Sequence, residues 1–123
     1  MSFDATNKPF WQPPDYVFGP VWTFLYLTMA GSLITAINNR EEIPLIAFGL
    51  FTIQLALNVF WPPIFDRSDY LLAFVLLLVM VSATLTYALL VFKASPISTY
   101  LIIPYLLWIS FATSINAWYV LEG

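Results

Sequence analysis

No cysteine and no histidine occur in this chain, and only 9% of its 123 residues are charged. Without cysteine there is neither a disulfide framework nor thiol chemistry, and the redox compartment stays open. Without histidine, the usual axial ligand of haem iron and the commonest ligand of zinc are missing, so no metal site and no bound cofactor are expected. A net charge of −3 excludes a polybasic headgroup patch and a nucleic-acid surface. What fills the space is apolar: 61% of the residues are hydrophobic and 19% aromatic, against about 45–50% apolar in soluble domains.

Such a composition points to an integral, multi-pass membrane protein in contact with lipid. A span needs about 20 mostly apolar residues, and four segments qualify: about Val17–Asn38, Ile43–Trp61, Tyr70–Phe92 and Pro96–Leu121. These are long continuous runs, unlike the alternating strands of roughly ten residues in a membrane barrel. The expected fold is therefore all-α, a polytopic bundle of four transmembrane helices forming one domain, with both termini on the same side. The polar, proline-containing start has no basic n-region, so no signal peptide is expected. Lys8 and Arg67 fall on the terminal side and Arg40 and Lys93 on the other, so the positive-inside rule does not orient the chain.

Local signals set the helix limits. Asp15 can cap the first helix, with Pro20 close to its start; Ser68 and Asp69 can cap the third; Ser95 followed by Pro96 is a cap and first-turn pair for the fourth. Tandem prolines, Pro62 and Pro63, are expected to end the second helix at Trp61. Pro104 lies inside the fourth, where it should bend the helix and free a carbonyl.

The stretch Pro9 to Tyr26, PFWQPPDYVFGPVWTFLY, crowds prolines and tryptophans at the mouth of an apolar span. Tracing the chain through alternating spans puts Trp11, Trp22, Trp61 and Trp118 in the half that holds the termini, with Trp108 nearer mid-depth. An ordinary aromatic belt loads both interfaces; one-sided loading favours a pocket mouth. No Asp, Glu, Lys or Arg lies within the core of a span, which counts against proton relays and ion-coupled transport, drug antiport included.

The polarity left inside is uncharged. Gln54 and Asn58 are four apart and Trp61 continues their face; their amides could bind polar atoms of a ligand, or could join helices at roughly 1 kcal/mol each. In the fourth helix Tyr105, Ala112 and Asn116 fall nearly in line, with Trp108 about 60° to one side. A small residue between aromatics makes a slot for a flat ring, or a point of close helix packing. Phe18, Trp22 and Tyr26 share a face of the first helix, as pocket wall or as core. Ala30-Gly31-Ser32 and Ser82-Ala83 are small-residue patches, open to contacts within one bundle or between protomers.

Three blocks in order resemble the translocator protein family, also called tryptophan-rich sensory proteins (TspO). They are Pro9, Trp11, Pro13, Pro14 with Gly19-Pro20-Val21-Trp22 and Leu25-Tyr26; Gln54-Leu55-Ala56-Leu57-Asn58 with Trp61-Pro62-Pro63-Ile64-Phe65; and Pro104-Tyr105-Leu106-Leu107-Trp108 with Phe111-Ala112 and Ile115-Asn116. The resemblance covers roughly Pro9 to Tyr119 and is poor in the third helix. It implies a truncated form of a five-helix bundle, lacking the family's first helix, and a homodimer that binds tetrapyrroles such as protoporphyrin IX. It also implies a pocket lined by Trp22, Tyr26, Asn58, Trp61, Trp108, Ala112 and Asn116 under a lid around Trp11-Gln12-Pro13-Pro14. Helical periodicity selects the same side chains and adds Phe18, Gln54 and Tyr105. No basic residue follows Tyr119, so the proposed cholesterol pattern is absent and a sterol is the less favoured ligand.

Absence of histidine directs the expectation to a metal-free porphyrin or a linear tetrapyrrole. No general acid or base lies inside the spans, so no catalytic residue is expected. If the resemblance to members proposed to degrade porphyrins by light or oxidation carries over, Trp22 and Trp108 would do the chemistry. A regulatory module acting through a protein partner is the third reading.

Overall fold

The computed structural model describes residues 15–122. Four α-helices follow one another: α1 (Asp15–Asn38), α2 (Leu45–Asp66), α3 (Tyr70–Phe92) and α4 (Pro96–Glu122), with one 3-10 turn, Arg40–Glu42, between the first two. All four are long and apolar enough to cross a membrane; at 1.5 Å per residue they measure roughly 33–40 Å. The described residues contain no strand, so the expected all-α, four-span architecture stands. Every charged residue from Arg40 to Glu122 is exposed. Leu27 (69% exposed) and Leu45 (84%) show how apolar the outer faces are, as a helix bathed in hydrocarbon requires.

Short connections make successive helices antiparallel. The packing order is α1 against α4, α4 against α3 and α3 against α2. Backbones of α1 and α2 hardly approach each other; side chains span the seam between them. The core runs along the three packed contacts through residues such as Met29, Phe51, Leu77, Met80, Ile102 and Ile109.

Two expected limits of α2 are corrected. It begins at Leu45 rather than Ile43, because Pro44 takes an extended conformation (ψ 138°) and stands before the first turn. It also passes through Pro62 and Pro63 to Asp66. The two missing N–H groups release only the carbonyls one turn back, whereas the added turn buries Phe65. That ring packs on Trp61 (5.3 Å between centroids), Tyr70 (5.0 Å) and Tyr119 (5.1 Å). Burying a phenylalanine contributes about 1.5–3 kcal/mol, enough to offset much of the proline penalty.

The helix then stops through a paired C-terminal motif. Ser68 N–H donates to the Phe65 carbonyl (2.9 Å) and Asp69 N–H to that of Ile64 (3.3 Å), with Ser68 in the left-handed region at φ 63°. Glycine normally occupies this position. Asp69 precedes α3 without a side-chain capping bond. Ser95 stands before α4, where its carbonyl accepts the Ser98 N–H at 3.0 Å and its hydroxyl meets that of Ser98 at 2.7 Å.

Both small-residue patches have neighbours within the bundle. A Cβ on Gly31 would stand 3.2 Å from the Leu101 side chain of α4, so Gly31 allows close approach of α1 to α4. Next to it Ser32 is fully buried, and in α3 Ala83 is buried too.

Candidate ligand site in the aromatic half of the bundle

Trp22 lies two turns into α1, half-buried, facing α4. Its ring stands edge-on to Trp108 (6.4 Å, 86°) and Tyr105 (6.5 Å, 64°) and leans on Tyr26 one turn later (5.7 Å, 34°). Tilted and edge-to-face arrangements are what ring quadrupoles favour, at about 0.5–1.5 kcal/mol per pair beyond burial. Spacing of four along α1 and of three along α4 puts each pair on one side of its helix, and the packing of α1 against α4 brings the two sides together.

Asn58 of α2 closes the cluster from the opposite side. It accepts the Tyr26 hydroxyl and donates to the Tyr105 hydroxyl at 3.2 Å, so one amide joins α1, α2 and α4 across the bundle. Asn58 and Tyr105 are buried, whereas Tyr26 is 43% exposed. Within this cluster only the Trp22 indole N–H is buried without a hydrogen-bond partner. A buried donor left unmade costs about 1–3 kcal/mol, which an acceptor placed beside Trp22 would recover.

Nearer the chain ends is a second, more closed group. Trp61, 2% exposed, donates its indole N–H to the Asn116 carbonyl oxygen at 3.1 Å, and the Asn116 amide donates to the Tyr70 backbone carbonyl at 2.9 Å. Phe65, Tyr70 and Tyr119 surround this bond. Ala112 is buried on α4 midway between Trp108 and Asn116. Gln54, one turn from Asn58 on the other side, directs its amide N–H to the Met29 sulfur (3.7 Å), while its carbonyl oxygen has no partner.

The expected site residues thus divide. Trp22, Tyr26, Asn58, Tyr105 and Trp108 form one constellation; Trp61 and Asn116 belong to the closed group, with Ala112 between them; Gln54 lies at the α1/α2 seam. Trp11 falls outside the described residues, as does the side chain of Phe18. Tyr70 and Tyr119 were not foreseen. Tyr70 opens α3 and Tyr119 lies in the last turn of α4, both against Phe65; that placement is the signal that could have found them, hidden by the expectation that α2 ends at the prolines.

At the opposite end lies a hydroxyl cluster, also unforeseen. Ser32 donates to the Ser98 carbonyl at 2.7 Å and meets the Tyr87 hydroxyl at 2.9 Å. Thr35 meets the Ser98 hydroxyl, and Thr99 donates to the Ala88 carbonyl at 2.6 Å. Serine and threonine three apart on apolar faces, Ser32 with Thr35 and Ser95 with Ser98, are its trace in the sequence.

The described residues contain no group of His, Cys, Asp and Glu that could hold a metal. The arrangement offers π faces, two shared amides and one free indole donor, a surface for an apolar ring carrying an acceptor.

Comparison with known proteins agrees with this reading of the motifs. The TspO/MBR family model matches residues 1–121. The translocator protein of Homo sapiens is 39% identical over 118 residues, covering 93% of this chain and 70% of the human protein. Tryptophan-rich protein TspO of Chlorobaculum tepidum is 35% identical over 113 residues, covering 89% and 71%. Protein CrtK of Rhodobacter capsulatus is 28% identical over 120 residues, covering 93% and 73%. With four membrane-spanning helices and this match along nearly its whole length, the chain belongs to the TspO/MBR family of multi-pass integral membrane proteins.

Proposed function

We propose that this chain binds flat hydrophobic tetrapyrroles, as metal-free porphyrin or a linear tetrapyrrole, and acts as a homodimer in their sensing, trafficking or disposal. The carrying observation is the Trp22 cluster: three further rings within 6.5 Å of its centroid and a buried indole N–H without an acceptor. Stacking and dispersion over a large ring face supply affinity, and a few polar groups fix orientation. The Trp22 N–H would take a ligand carboxylate or lactam oxygen, while Tyr26, at the exposed edge, would move aside to admit the ring. Asn58 would hold the far wall through Tyr105.

Titrating protoporphyrin IX into purified protein tests the proposal. Saturable quenching of tryptophan fluorescence, competed by a linear tetrapyrrole, is the expected result; linear, unsaturable quenching contradicts it. A second reading, light-driven porphyrin breakdown, is favoured by the contact between the Trp22 and Trp108 rings, since an indole beside an excited ring can donate an electron. Porphyrin absorbance that is stable under illumination in air would rule it out.

A further inference from the structure

Outside the Trp22 cluster, two buried side-chain atoms have no hydrogen-bond partner: the Gln54 carbonyl oxygen on α2 and the Thr84 hydroxyl on α3. Each residue is 1% exposed. They stand at one level of the bundle. Phe51 packs on Tyr87 at 5.2 Å between ring centroids, and three residues on along α2 and three back along the antiparallel α3 lead to Gln54 and Thr84. Met29, which takes the Gln54 amide N–H, is three back from Ser32 on α1, and Ser32 meets Tyr87. Thr84 also differs from other helical threonines. Thr52, Thr86 and Thr113 return their hydroxyls to the carbonyl four residues back, and Thr84 does not. A buried hydroxyl that forgoes this bond destabilises its helix unless another group takes it.

The polar networks on either side have capacity to spare. Asn58 donates to the Tyr105 oxygen, which leaves the Tyr105 hydrogen to be given elsewhere. Ser32 gives its one hydrogen to the Ser98 carbonyl, so Tyr87 donates to Ser32 and its own oxygen can still accept. Tyr105 lies about a turn nearer the chain termini than the Gln54 level and Tyr87 about a turn farther, and because Cα–Cβ bonds tilt toward the helix N-terminus, both phenols lean toward it. The inventory is two hydrogens to give, from Thr84 and Tyr105, and two oxygens to receive, on Gln54 and Tyr87. A water molecule is its complement, and buried waters make about three such bonds, within a range of two to four. We propose that the level of Gln54 and Thr84 is an internal water site, where bound water donates to Gln54 Oε1 and Tyr87 Oη and accepts from Thr84 Oγ1 and Tyr105 Oη. The water closes a file of hydrogen bonds donated in one direction, from Tyr26 through Asn58 and Tyr105 to Tyr87, Ser32 and the Ser98 carbonyl. Two networks at opposite ends of the bundle become one, whichever ligand the Trp22 cluster takes.

The sign of a stability change tests this. Thr84→Val keeps the side-chain shape and removes the hydroxyl, and Gln54→Met replaces the amide by an apolar chain of similar length. With water in the site, each variant strips it of a partner and lowers the thermal unfolding midpoint in detergent by roughly 2–8 °C. The double variant then falls by less than the sum of the two, because both changes break one site. If the two atoms instead lie bare in the core, each apolar replacement relieves a cost and raises the midpoint, which overturns the proposal; falls that simply add overturn it too. A high-resolution crystal structure of the unaltered chain in a lipidic phase gives the second reading, and needs no variant to fold. Expected is ordered water within about 3.2 Å of both Gln54 Oε1 and Thr84 Oγ1. A direct bond between these two side chains, or a level filled by hydrocarbon alone, contradicts the assignment.

Discussion

The two halves of this bundle hold their polar groups differently. Around Ser32 and Ser98 the hydroxyls of Ser32, Thr35, Tyr87, Ser95, Ser98 and Thr99 all find partners, and Tyr87, Ser95, Ser98 and Ser32 are buried; Thr84, nearer mid-depth on α3, has a buried hydroxyl without one. Around Trp22 the two indoles are half-buried, Tyr26 is partly exposed, Tyr105 is buried, and one indole donor is left over. In hydrocarbon an unmade hydrogen bond has no water to fall back on, so a satisfied end acts as a clamp and an unsatisfied end as a receptive surface. Trp61 and Asn116 repeat the lesson within the aromatic half: with the same residue types and every described polar atom engaged, they brace the helices next to the rings that would meet a ligand.

Breaking the braced parts should cost stability, and altering the receptive part should cost binding. Trp61→Ala has the largest expected effect, a loss of about 3–5 kcal/mol from the cavity alone, read as a fall in thermal unfolding midpoint in detergent. Replacing Trp22 and Trp108 together by Phe should weaken protoporphyrin IX by about 1–3 kcal/mol, roughly ten- to a hundred-fold, with little change in that midpoint. Ser32→Ala removes the hydroxyl that meets both Tyr87 and Ser98 and should destabilise by about 1–2 kcal/mol while leaving porphyrin affinity alone. Ser68→Gly relieves the left-handed residue after α2 and should stabilise by up to about 1 kcal/mol; a lower midpoint would show that the Ser68 hydroxyl matters more than its backbone.

Span number was legible in the sequence, because apolar length leaves little choice; spacing placed Trp22 with Tyr26, and Tyr105 near Trp108, on single helix faces, and it was the resemblance that implied Trp22, Tyr26, Asn58 and Trp108 meet across helices. The extension of α2 was not legible. A proline rule speaks for the local backbone, and the burial of Phe65 against Tyr70 and Tyr119, residues remote in sequence, outweighs it. Nor could spacing separate Asn58 as ligand contact from Asn58 as helix bridge, since both readings put the amide on the same inward face; its bonds to Tyr26 and Tyr105 show that it bridges. The hydroxyl cluster was missed because serine and threonine in apolar helices often return their hydroxyls to their own backbone, as Ser82 and Ser110 do.

The central claim is that tetrapyrroles are held by the indole cluster at Trp22 and not by the bundle as a whole. Parallel protoporphyrin IX titrations of the unaltered chain, the Trp22→Phe/Trp108→Phe variant and Ser32→Ala test it most directly, with binding followed by porphyrin absorbance so that the lost indoles do not bias the signal. The account predicts saturable binding that weakens at least tenfold in the double variant and holds in Ser32→Ala; equal affinity in all three proteins would contradict it.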